Sequence, residues 1–591
     1  MPHLDRRAWL ALAGSSLFGQ GVANRGVTAA ARAKPSGKPW LAKFQDVAAA
    51  AGLRAPVIYG GVERKTYILE ATGCGAAFID YDSDGWLDIF LLTGSRLDGA
   101  PDGATNRLYK NNRDGTFTDV TERAGLTRAG WFCAVTAADY NNDGHVDLFL
   151  TGHGECVLYR NNGDGTFTDA TKEAGLFARA GELGGGCTFL DYDRDGRLDL
   201  FVANYLELDL ATAPKPGDGA NCTFNDVPVN CGPRGLKTSR CRLFRNNGDG
   251  TFTDISNKAG IDKVTGSYAM TAVAADFDND GWPDILVACD STPSFLLRNQ
   301  RDGTFKEEGI ERGIALSDDG QEQAGMGLAV GDHDLDGDLD IFKTHFANDT
   351  HGLFRNDGKG MFAEITAAAG IGVETRYVGW GAGMTDLDND GHPDLFLVTG
   401  GVYPETEGKP AAHPQRSPRL VFRNLGNGRF EEILGDAGPG IGALHSSRGC
   451  AVGDFDNDGD MDILVVNLNE PPSLLRNDLA GTGHWLKMKL EGTVSNRSAI
   501  GARATVRYTL AGKAAIQAQE VQAQSSFYSV NDFRLHYGLG AATSAAVTIR
   551  WPNGGTEYCG AVAVDQLITV REGAGIVKRE RFKSGSASQS R

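Results

Sequence analysis

Seven times the chain repeats a nine-residue pattern, Asp-x-Asp-x-Asp-Gly-x-x-Asp, that brings acidic side chains together on one short loop. The first copy supplies Asp80, Asp82, Asp84 and Asp88, and the second Asp139, Asn141, Asp143 and Asp147. The third supplies Asp191, Asp193, Asp195 and Asp199, and the fourth Asp276, Asp278, Asp280 and Asp284. Asp332, Asp334, Asp336 and Asp340 form the fifth, Asp386, Asp388, Asp390 and Asp394 the sixth, and Asp454, Asp456, Asp458 and Asp462 the seventh. Carboxylates on alternate residues of a tight loop converge on one point, and glycine at the sixth position permits a turn closed to a β-carbon. This is the logic of an EF-hand loop without its twelfth-position glutamate, and it suits a hard, oxygen-preferring cation. Calcium fits best, because magnesium keeps its waters. Up to seven structural Ca²⁺ are expected. Of the 28 ligand positions 27 are Asp, and the exception, Asn141, marks the weakest site.

Two further segments recur seven times in fixed cyclic order with the acidic loops, and they define the elements that must hold them. One is an apolar pair followed by a basic residue and Asn, as in Leu108-Tyr109-Lys110-Asn111 and Leu474-Leu475-Arg476-Asn477. The other begins at Phe44, Phe117, Phe167, Phe252, Phe305, Phe362 and Phe430. Its first copy precedes the first acidic loop and none follows the last. A ring closed by an N-terminal strand that completes the final blade predicts this offset; a linear solenoid does not. The apolar runs are strand-length and separated by Gly/Asp/Asn turns, so each repeat reads as a four-stranded antiparallel blade. The fold class predicted is all-β: a seven-bladed β-propeller over residues 44–480 with a small C-terminal β-sandwich-like domain over 484–572 and a disordered tail from 573 to 591.

Composition narrows the partners. The net charge is −18, and no basic run offers the phosphate-neutralising face that nucleic acid requires. Residues 1–33 read as an export signal: Arg6-Arg7, an apolar small-residue stretch from Ala11 to Ala23, then Ala31-Arg32-Ala33. The paired arginines resemble a twin-arginine signal, which predicts a periplasmic or extracellular protein. Loss of those residues takes the charge from −18 to −21, and seven divalent cations bring it to −7. No later stretch is apolar and long enough to span a membrane. Ten cysteines follow the signal; Cys222 and Cys231 are expected to pair and staple a long insertion.

The acidic loops, preceded by Gly/Ala-rich strands, resemble the FG-GAP or VCBS repeats of integrin-type propellers. His484-Trp485-Leu486, Ser495 to Ala502, Leu535 to Gly540 and Trp551-Pro552-Asn553-Gly554 resemble the ASPIC/UnbV domain. The combination is that of the cartilage acidic protein family and its bacterial relatives.

If the acidic loops occupy one face of the ring, the insertions gather on the other: Tyr205 to Cys241, Gly401 to Pro418, and two shorter ones. Variable loops on a rigid scaffold are where binding resides. Candidate ligand-binding residues there are His153, Glu155, Asn204, Tyr205, Tyr403 and Glu405. His345, Asp349 and His351 are candidates for acid–base chemistry or a transition metal. The function expected is a secreted calcium-binding module for a protein or carbohydrate ligand. The alternative is a propeller enzyme of the lyase or cyclase class with its pocket at the central channel.

Overall fold

A computed structural model describes residues 21–409, 413–481 and 483–582. Seven antiparallel sheets follow one another along the chain. Their innermost strands are Ala76–Ile79, Phe132–Ala138, Glu182–Leu190, Ala269–Ala275, Gly325–Gly331, Gly379–Thr385 and Ser447–Gly453. Each packs against the next, and the last packs against the first, so the sheets close into a ring. Strands such as Asp284–Cys289 are buried along their whole length, because a blade is covered on both faces by its neighbours. That is why the sequence shows apolar runs there rather than strict alternation.

Closure follows the offset of the phenylalanine segment. Phe44–Asp46 pairs antiparallel with Ser473–Asn477, Phe44 opposite Asn477, and becomes the outer strand of the seventh blade. The third blade takes a fifth, short strand, Lys237–Thr238, from its insertion.

The recurring asparagine of each repeat ties neighbouring blades together. Asn111 Nδ2 donates to Leu87 O of its own blade and to Phe455 O of the seventh, each at 2.9 Å. The same bond to the preceding blade is made by Asn161, Asn246, Asn299, Asn356, Asn424 and Asn477. Asn111→Ala should cost about 2–3 kcal/mol, since it leaves buried carbonyls unpaired. Asn111→Asp should be no better, because a carboxylate cannot donate. Thermal denaturation of both variants measures this.

The C-terminal domain consists of two four-stranded sheets. One holds Leu535–Gly540, His484–Glu491, Gln566–Arg571 and Gly575–Glu580; the other holds Lys513–Glu520, Arg503–Leu510, Ser544–Arg550 and Thr556–Ala563. The sheets are not wholly antiparallel, for His484–Glu491 and Gln566–Arg571 run parallel. The expected disordered tail is also corrected in part: Gly575–Glu580 is an edge strand, with Ile576 opposite Val570. Its β-branched Ile576-Val577 followed by three charged residues suits an edge. Residues 583–591 lie outside the described residues.

This domain sits on the acidic-loop face and sends a hairpin, Val521 to Asn531, down the axis of the ring. Ser526 exchanges both backbone hydrogen bonds with Leu328, at 2.7 and 2.8 Å. Val530 N–H donates to Ala76 O and accepts, through its carbonyl, from Phe78 N–H. Gln524 bridges the second and third blades, donating to Val135 O and accepting from Cys187 N–H. Ser526 Oγ accepts from Ala382 N–H, and Asn531 Oδ1 from Val452 N–H. At the tip Phe527 stacks on Tyr528 and meets Trp380 edge-on. The inner strands are glycine-rich because the hairpin comes so close: a β-carbon on Gly75 would lie 1.8 Å from Tyr528 O.

Residues 1–20 of the expected export signal lie outside the described residues. Residues 21–33 run along the face opposite the acidic loops, with Val22 and Ala23 buried and Val27 N–H donating to Asn348 O.

Candidate functional site

Every acidic loop is built alike. The first Asp accepts from the fifth and sixth residues' N–H: in the first blade, Asp84 to Asp80 Oδ1 at 2.9 Å and Gly85 to Asp80 Oδ2 at 3.1 Å. The ninth is pinned by N–H groups of Tyr81 and Asn111 on Asp88. The backbone turns left-handed at Ser83 and Gly85, with φ of 58° and 87°, which aims the side chains inward. The third position completes the cup. In Asp82, Asp193, Asp278, Asp388 and Asp456, Oδ1 is buried and has no hydrogen-bond partner among the described residues. A buried carboxylate oxygen without a donor is costly unless a cation takes it. Candidate ligand atoms lie within 4.8 Å of one another in groups such as Asp80, Asp82 and Asp88 or Asp332, Asp334 and Asp336. These clusters could hold a metal ion.

Burial, and after it the neighbouring carboxylates, push these acids upward. Asp88 and Asp147 rise to about 8, and Asp191 to about 7. The basic residue of the second segment answers part of this charge: Arg298 Nε donates to Asp278 Oδ2 at 2.8 Å and Arg245 Nε to Asp193 Oδ2 at 3.1 Å. In the second loop Asn141 Nδ2 donates to Asp143 Oδ2 at 2.8 Å, so that amide consumes acceptor capacity that an Asp would leave for a cation.

The C-terminal domain covers much of this face. Lys487 Nζ lies 2.6 Å from Asp454 Oδ2, both fully buried; Arg550 pairs with Asp276. Ala518 N–H donates to Asp332 Oδ2 at 3.0 Å. The Ser495–Ile500 turn docks on the second loop, where Ser498 Oγ accepts from Asp139 N–H and Arg497 N–H donates to Asn142 Oδ1.

The opposite face is more closed than its loop lengths suggest. Cys222 and Cys231 are bonded, with S–S 2.10 Å, and Phe224 beside them packs on Tyr403, Phe346 and His413. Tyr205 OH donates to buried Asp290 at 2.6 Å, and Asn204 Nδ2 donates to Arg240 O. His345, Asp349 and His351 are all buried. His345 Nδ1 meets Thr350 O at 2.7 Å, and His351 Nδ1 accepts from His345 N–H. Burial holds both imidazoles neutral, His351 down to about 4. Arg25, from the N-terminal segment, pairs with Asp349 at 2.9 Å and Asp319 at 2.9 Å. His153, Glu155 and Glu405 are half-buried: His153 Nε2 contacts Leu208 O, Glu155 pairs with Arg128, and Glu405 accepts from Lys65 N–H. The structure thus brings His345, Asp349 and His351 into one cluster, and distributes the others among three blades.

Sequence reasoning missed the axial hairpin, the docking of the C-terminal domain on the loops, and the partner of the repeat asparagine. The asparagine carried a signal, its sevenfold recurrence; the hairpin carried a run of small and amide residues around Phe527 and Tyr528, with no periodicity.

Segments within 80–342 and 413–465 match the FG-GAP-like repeat family, and residues 492–577 match the ASPIC and UnbV family. The chain belongs to the FG-GAP-repeat proteins with a C-terminal ASPIC/UnbV domain. It is similar to cartilage acidic protein 1 of Mus musculus, 24% identical over 507 residues that cover 81% of this chain and 70% of the relative. The Homo sapiens protein of the same name is 23% identical over 505 residues, covering 81% and 69%. Among solved structures, an Agrocybe aegerita lectin that recognises non-reducing terminal N-acetylglucosamine is 17% identical. It covers 77% of this chain and 95% of its own, with a TM-score of 0.37. An exotype rhamnogalacturonan lyase is 12% identical, covering 71% and 90%, with a TM-score of 0.26. At those scores neither likeness bears on what this chain binds. Among the described residues no helix is long and apolar enough to cross a membrane.

Proposed function

We propose that the chain is an exported, calcium-binding β-propeller that serves as a binding module for a protein or carbohydrate ligand. Calcium would be held in each blade by the first, third, fifth and ninth loop residues, with Asn141 replacing one carboxylate in the second. The ion would neutralise like charges packed on a buried loop and so fix the blade edges; the module then offers a rigid outer surface. One observation favours binding over the lyase or cyclase alternative. The channel at which that alternative places its pocket is filled by Val521 to Asn531, whose Ser526, Gln524 and Val530 are bonded to the inner strands.

The reading is tested by solid-phase binding of the full chain to panels of acidic glycans, neutral glycans and extracellular-matrix proteins, with calcium and after chelation. Saturable, calcium-dependent binding to one class is the expected result. Absence of binding across all three panels would overturn it.

A further inference from the structure

The C-terminal domain does not cover all seven loops equally. At the fourth, fifth and seventh it lies directly on the first Asp of the loop, through Arg550, Ala518 and Lys487. At the second loop it makes contact through Ser498 and Arg497, but over the first blade it stands off, and a cleft of about 1330 Å³ opens between the loops and the sheet that carries His484–Glu491. This exceeds the roughly 300–1,000 Å³ of ordinary small-ligand pockets, so the cleft has room for an oligomer.

Both walls carry mixed charge, most of it paired. The loop side carries Asp80, Asp84 and Asp139 with Arg113 on Asp84, and the other side carries Glu491 and Glu580, paired with Arg571 and Lys578, together with Lys489, Arg497 and Arg581. Those three basic side chains are on exposed residues and form no ion pair with a carboxylate among the described residues, unlike Arg571, which is committed to Glu491 at 2.9 Å. The guanidinium of Arg497 lies against Gly144 of the second loop. Trp86, Phe533 and Phe582 add aromatic surface to the same cleft. Lys489 and Arg497 act on Asp80 and Asp139 only at a distance; cations without a close ion pair, with aromatic rings alongside, are complementary to a ligand whose acid groups sit on rings with apolar faces.

We propose that this cleft binds an acidic saccharide, a uronic-acid oligomer whose carboxylates are held by Lys489, Arg497 and Arg581 and whose sugar faces rest on the aromatic side chains. The proposal rests on the binding-module reading and adds to it the surface and the ligand class. Cations in the first two loops would offset the loop aspartates, which otherwise repel the ligand.

The test is calorimetric titration of the full chain with trigalacturonate in calcium, with neutral cellotriose and a short single-stranded DNA as controls. Wild type should bind trigalacturonate and neither control. Lys489→Gln combined with Arg581→Gln should weaken binding at least about tenfold, the loss of one or two charge-assisted hydrogen bonds. Arg497→Gln should weaken it severalfold. Because all three side chains are exposed, the melting temperature should stay unchanged, and circular dichroism checks that the variants are folded. Equal binding by wild type and variants removes the cleft while leaving the binding module standing. DNA binding as tight as trigalacturonate binding, with the same response to the variants, replaces the saccharide by a general polyanion and overturns the proposal. No trigalacturonate binding overturns it as well, and only the glycan and protein panels above then decide the wider reading.

Discussion

Stripped of divalent cations, the protein should melt on the order of 10 °C lower and recover with Ca²⁺ far better than with Mg²⁺. At free calcium about tenfold above a weak extracellular-type Kd, each site adds roughly 1.4 kcal/mol, hence on the order of 10 kcal/mol for seven. Spread over the unfolding entropy of a chain this long, that converts to the shift stated. The pH dependence carries a sign that separates bound cation from mere turns. In the metal-free protein the folded-state pKa values of Asp88, Asp147 and Asp456 are raised to about 8 by burial and neighbouring carboxylates. The folded state therefore binds more protons than the unfolded one between about pH 4, the ordinary carboxyl value, and about 8. Metal-free stability is fully present below that window and is lost as pH rises through it. Calcium needs the ionised form and works in the opposite sense. The stabilisation that calcium adds should thus be small near pH 5 and largest near pH 8. Differential scanning calorimetry with calcium and with chelator at both values measures it, and metal analysis counts the ions. Curves that coincide at pH 8 would reduce the loops to turns.

Removal of the C-terminal domain after Gly483 should have a larger effect still: the remaining ring should fail to melt cooperatively and should aggregate. The hairpin supplies hydrogen bonds to inner strands of the first, second, third, fifth, sixth and seventh blades. Without it, backbone groups around a narrow, largely apolar channel lose their partners, each at about 1–3 kcal/mol where water cannot replace them. A gentler variant isolates the hairpin from the rest of the domain. Gly75→Val places a side chain where Tyr528 O already stands 1.8 Å from an ideal β-carbon, so it should lower stability by several kcal/mol through overpacking. Size-exclusion chromatography and thermal denaturation read both. A truncated ring that melts within a few degrees of the full chain would show that the hairpin fills the channel without supporting it.

The repeat was legible because its signals are local. Alternate aspartates, the turn glycine, and strand-length apolar runs recur in register, and the displaced Phe44 segment announced the pairing with Ser473–Asn477 that closes the ring. The site was legible in its residues and less so in its surroundings. Nothing in Val521 to Asn531 distinguishes a buried axial hairpin from a polar loop, because its partners lie from Ala76 to Val452 and leave no periodicity. The same holds for Lys487, whose apolar neighbours Leu486 and Met488 suggest a strand but not an ammonium buried on Asp454. The packing of the face opposite the loops was not legible either. Long insertions there are expected to carry the ligand surface, and in the fold Phe224, next to the disulfide, turns inward onto Tyr403 and Phe346. His345 and Asp349 are covered in turn by the segment that carries Arg25.

The pairing of Phe44–Asp46 with the seventh blade also fixes when the molecule can finish folding. On the ribosome the outer strand of that blade emerges first, and its partner more than 400 residues later, with the axial hairpin later again. A nascent chain is therefore an open fan of blades until nearly the whole sequence has been made. Synthesis at about 5–20 residues per second leaves those unsealed edges exposed for tens of seconds, so chaperone protection during translation should matter more for this chain than for one whose closing contacts are local.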